Sequence, residues 1–120
     1  MAKRSDVAAF EAILTKVLAN QNLISIPMQE LRDAIGAGRL GVTVRASISR
    51  ELAAIGLGHV PVELPDSQLD FVRVYEKGTS VAEIIEAALS PTKRHDGLLR
   101  EMAAGDSQRI LQKIKDLVCD

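Results

Sequence analysis

Residues 23–60 read LISIPMQELRDAIGAGRLGVTVRASISRELAAIGLGHV, and the order of signals along this stretch decides the fold class. Leu23-Ile24-Ser25-Ile26 is a short β-branched run with the character of a strand. Pro27 suits the first turn of a helix, where its missing N–H is not needed. Met28, Leu31 and Ile35 give that helix an apolar edge, and Gly36 offers a left-handed stop. The glycine-rich connection Ala37-Gly38-Arg39-Leu40-Gly41 follows. Thr43 is placed to cap a further helix, in which Val44, Ile48, Leu52 and Ile55 form one apolar stripe. Gly56 closes it, with Leu57 folding back onto Leu52 or Ala53.

Working outward, Val7, Phe10, Leu14, Val17 and Leu18 predict an amphipathic helix ahead of this stretch, capped by Ser5 or Asp6 and ended by Asn20-Gln21-Asn22. Behind it, Gly58 to Val62 reads as a strand and Glu63 to Ser67 as a turn. Leu69 to Tyr75 reads as a second strand, with a helix from Asp66 to Glu76 as the competing reading. Ser80-Val81-Ala82-Glu83 has the spacing of a capping box, opening a helix that Ser90-Pro91 ends. Two more helices are expected, one from Asp96 to Ala104 and, after a break at Gly105-Asp106, a last one. Its apolar face comprises Ile110, Leu111, Ile114, Leu117 and Val118.

The fold class expected is mainly α with a small β-ribbon: a domain over residues 1–90 and a C-terminal helical extension over 91–120. The chain has 120 residues, suited to a single modest core. Its only cysteine, Cys119, excludes an internal disulfide framework. With no tryptophan, one tyrosine and two phenylalanines, it offers little surface for stacking bases or flat cofactors. No apolar run is long enough to span a bilayer and no secretion signal opens the chain, so a cytoplasmic protein without a membrane partner is expected.

Net charge is only −1, so nucleic acid could be held only by locally concentrated charge. Such a concentration exists: Arg39, Arg45 and Arg50 lie in a segment, Ala34 to Arg50, that contains no acid. Arginine can donate two hydrogen bonds to the major-groove edge of guanine. Serine and threonine can bond phosphates or bases, and the short Ala46 and Ala54 allow close approach.

Other constellations are weaker. Gly36, Gly38 and Gly41 follow a helix and lack the lysine of a phosphate loop. His59 and His95 have no ligands at metal-like spacing. Glu63/Asp66 and Glu83/Glu86 suit a turn and a helix start better than acid–base chemistry. No catalytic residue, metal or cofactor is expected.

From Ser5 to Leu89 the order helix, short strand, short helix, helix, two-stranded ribbon resembles a bacterial winged helix-turn-helix domain. The resemblance implies a sequence-specific duplex-DNA binder, a small transcriptional regulator, with Thr43, Arg45, Ser47 and Arg50 on the recognition helix, Arg39 beside it and the wing tip near Pro65. Glu63 and Asp66 at that tip would repel phosphate, so the wing is expected to add little to DNA affinity or to meet a protein. The last helix is expected to pack on its own domain, on a second copy or on a different protein partner, and a homodimer would read a palindromic site. The alternative is an adaptor or assembly subunit that binds protein and not DNA.

Overall fold

The stops expected at Gly36 and Gly56 are used as such: both residues take positive φ, 72° and 79°, a region that glycine enters without penalty. They delimit the helices of a computed structural model that describes residues 4–118, with the side chains at 4–6, 106–108, 110, 111, 113, 117 and 118 outside the description. The elements run α1 (Arg4–Ala19), β1 (Leu23–Pro27), α2 (Met28–Ala34), α3 (Val42–Ala54), β2 (Leu57–Val60), β3 (Phe71–Glu76), α4 (Ser80–Leu89) and α5 (Lys93–Val118). The architecture is mainly helical with one small antiparallel sheet.

In that sheet β3 lies between β1 and β2, with Ile26 opposite Val72 and His59 opposite Val74. The segment 71–76 is therefore a strand, which removes the helical alternative for 66–76. Val72, Val74, Ile26 and Leu57 are buried in one core with Phe10, Ile13 and Val17 of α1, Met28, Leu31 and Ala34 of α2, and Ile48 and Leu52 of α3. Leu40 from the glycine-rich connection and Leu64 from the loop after β2 join it. On the other side of the sheet the Tyr75 ring covers Gly58 so closely that a Cβ there would stand 2.6 Å from ring atoms.

Several local expectations need correction. In α1 the buried line is Phe10, Ile13 and Val17, while Val7 and Leu18 are exposed. Both phases satisfy a helical period, and contact with α2 and the sheet selects the former. The helix is already running at Arg4, so Ser5 and Asp6 lie within its first turn. The N-cap of α3 is Gly41 rather than Thr43, which lies inside the helix. Pro61 and Val62 lie beyond β2. The Ala82 amide donates to Thr79 Oγ1 at 3.3 Å, which makes Thr79, not Ser80, the cap of α4.

The chain divides into two compact units, Met1–Ala82 and Glu83–Asp120, at a point inside α4. In the second unit, the two helices expected after Pro91 are one. Gly105 and Asp106 sit inside the 26-residue α5, because an internal glycine costs only about 1 kcal/mol, too little to interrupt good helix formers on both sides. Asp96 is in its first turn, and the cap is Thr92, whose Oγ1 accepts the His95 amide at 3.1 Å. His95 Nδ1–H reaches back to the Ser90 carbonyl, 2.8 Å away. Among the described residues no helix is long and apolar enough to cross a membrane.

Candidate nucleic-acid interface

The phase of α3 follows from its apolar stripe. Ile48 and Leu52 are fully buried, and Val44 and Ile55 are half-buried beside them. The opposite side of the helix therefore presents Val42, Thr43, Ala46, Arg50, Ala53 and Ala54 to solvent, all exposed, with Ser47 half-buried at its margin. The helix has one acid, Glu51, which is half-buried off this side. The outer side thus carries a cation, two hydroxyls, one exposed valine and three alanines, with no carboxylate of its own.

Arg50 Nη2 donates to Ser47 Oγ at 3.0 Å, one helical turn away. That contact restrains an exposed guanidinium without neutralising it. Among the described residues ion pairs join Lys16 to Glu30 and Arg32 to Asp33, and none involves Arg39, Arg45 or Arg50. Arg39 is exposed in the connection before α3.

Arg45 has a different task. Its Nη1 donates to the Leu64 carbonyl at 3.1 Å and its Nε to the Gly41 carbonyl at 3.4 Å. The guanidinium ties the start of α3 to the loop 61–70, whose Leu64 is itself in the core. A second tie runs through His59. Its Nδ1 lies 2.8 Å from the Pro61 carbonyl, which can only accept, so Nδ1 carries the hydrogen. In the neutral ring Nε2 then accepts from the Ser49 hydroxyl at 2.8 Å. The far end of the loop is fastened to α2: the Met28 and Gln29 amides donate to the Asp70 and Gln68 carbonyls at 2.8 and 3.0 Å. Arg32 Nη1 also donates to Gln68 Oε1. The loop expected to form a wing tip near Pro65 is thus strapped across α2 and α3.

Between the strap and the start of α3 lies an open cleft of about 390 Å³, lined by Val42, Arg45, Ala46, Ser49, Val62, Glu63 and Leu64. Val42 is 75% exposed and Val62 67%.

Of the five residues that the sequence nominates, the fold gathers Thr43, Ser47 and Arg50 along one side of α3, leaves Arg39 free in solvent and commits Arg45 to the strap. Sequence reasoning missed Val42 and Val62. Gly41 was the available signal for Val42, since glycine is an accepted N-cap and its successor is then the first helical residue. In the C-terminal face, Ile114 is exposed, 51%, while the side chains of Ile110, Leu111, Leu117 and Val118 lie outside the described residues. No group of three His, Cys, Asp or Glu able to hold a metal occurs among the described residues. Comparison with known proteins yields no matching protein-family model, curated protein or solved structure.

Proposed function

We propose that this chain is a winged helix-turn-helix protein that binds duplex DNA sequence-specifically through α3, as a small cytoplasmic transcriptional regulator of bacterial type. The observation that carries this reading is the outer side of α3: an unneutralised arginine, two hydroxyls, one valine and alanines, with no acid, on a helix whose other side is anchored in the core. The order α1-β1-α2-α3-β2-β3 supports it by analogy with the winged helix-turn-helix family. Arg50, Thr43 and Ser47 are the base- and phosphate-contacting residues in this reading, and Arg39 adds a phosphate contact. Arg45 serves through the strap that holds α3 in place. Glu63 and Asp66 in the loop 61–70 repel phosphate, so the backbone contacts fall to α3 and Arg39 in this reading. A homodimer through the last helix then doubles an otherwise small contact set.

A mobility-shift assay against random genomic duplexes at low and high salt tests the reading. Binding should weaken as salt rises, with a shallow slope set by a few phosphate contacts per protomer. Arg50→Ala should weaken binding by about 1–3 kcal/mol with circular dichroism unchanged. Ile114→Asp should convert a dimer to monomers by sedimentation and weaken binding to a palindrome. The second reading, a protein-binding adaptor, draws on the two exposed valines beside Glu63. It gains if no duplex is bound even at low salt.

A further inference from the structure

Val42 and Val62 are large apolar side chains held in water, and both line one cleft together with Ala46. In the same cleft Arg45 donates through Nη1 and Nε to the Leu64 and Gly41 carbonyls, and Ser49 is bonded to His59. What the lining adds is two exposed valines and one carboxylate, Glu63. A carboxylate is the wrong group for phosphate, so the DNA backbone does not explain this composition. It does suit a base edge. The major groove of a T·A pair presents an apolar feature, the thymine 5-methyl, and, from the paired adenine, the N6 amine donor. Val42 is the first residue of α3, and in helix-turn-helix docking the N-terminal residues of the recognition helix are those that reach base edges.

We propose that this cleft reads a T·A pair, with the thymine methyl seated between Val42 and Val62 and the adenine amine donating to Glu63. Val42 is then the specificity-determining residue for that position. The assignment rests on the DNA-binding reading above and adds to it the identity of one base pair. It also gives Glu63 a task at the base edge, where an acid near the wing tip is otherwise a liability.

The test uses the full chain and a duplex selected by it from a random pool. Each thymine is replaced in turn by uracil, which removes the methyl and nothing else, and affinity is read by fluorescence anisotropy. One position per half-site should show a loss of about fourfold, the ratio expected for one methyl-sized group withdrawn from apolar contact. In Val42→Ser that difference should disappear. Because Val42 is exposed, circular dichroism should be unchanged, and Val62→Ala provides a second variant with the same expected loss of discrimination. Uracil tolerated at every position overturns the proposal, as does equal sensitivity in wild type and both variants. Either result leaves DNA binding intact. Absence of any duplex binding at low salt overturns this proposal and the parent reading together.

Discussion

The loop 61–70 and the helix α5 offer a contrast in how a segment is held. The loop has no regular structure, yet it is fixed by a buried leucine, by the Arg45 and His59 bonds and by two amides of α2. The helix is regular over 26 residues, yet beyond Met102 every described side chain is exposed. Regularity and fixation are thus separate properties. One follows from local backbone preference, the other from what the side chains touch, and mutations can probe each separately.

The largest effect should come from the core that the loop joins. Leu52→Ala removes a fully buried side chain and should cost about 2–5 kcal/mol in urea unfolding. That is a large share of the roughly 5–15 kcal/mol that holds a small domain. A loss below about half a kcal/mol would contradict the phase of α3 and with it the placing of Arg50 outside. Next is Gly58→Ala. Its new Cβ meets a buried tyrosine ring at 2.6 Å, and a ring packed into a sheet gives way less readily than a flexible chain end. About 1–3 kcal/mol should be lost, read as a lower Tm.

Arg45→Ala sharpens the contrast directly. It should cost about 1 kcal/mol through the hydrogen bond to Leu64, and it should leave the salt dependence of DNA binding nearly unchanged, whereas Arg50→Ala should lower it. Equal effects from the two arginines on that slope would return Arg45 to the DNA-contacting set. The smallest effect carries the opposite sign. Nothing lies within 4 Å of a Cβ added at Gly105, so Gly105→Ala should stabilise α5 by up to about 1 kcal/mol, seen as a gain in helical ellipticity. A loss there would mean that this glycine is needed for close contact with a partner.

The same contrast explains what could be read in advance. Glycines with a backbone task are visible in sequence, which is why Gly36 and Gly56 placed the ends of α2 and α3. The strand identity of 71–76 was half legible, since a short apolar run is open to strand or helix and pairing on both sides decided it. The face of α1 was not legible, because Val7, Phe10, Ile13, Leu14, Val17 and Leu18 permit more than one phase and only contact with α2 and the sheet chooses. The continuity of α5 was misread because Gly-Asp was weighed as a stop without weighing the helix formers around it. At the candidate site, Arg50 and Thr43 follow from helix phase alone. The diversion of Arg45 does not, for its partner is a carbonyl 19 residues on, and no local rule places that carbonyl.

The fastening of the loop to α2 also creates a clock. The opening amides of a helix ordinarily lack acceptors and exchange their hydrogens with water quickly. Here Met28 and Gln29 donate to Asp70 and Gln68, so their deuterium uptake proceeds only when the loop lets go. Two peptide hydrogens thereby time the opening of a segment more than thirty residues away in sequence, and at the candidate interface they would register whether a bound duplex lengthens that interval.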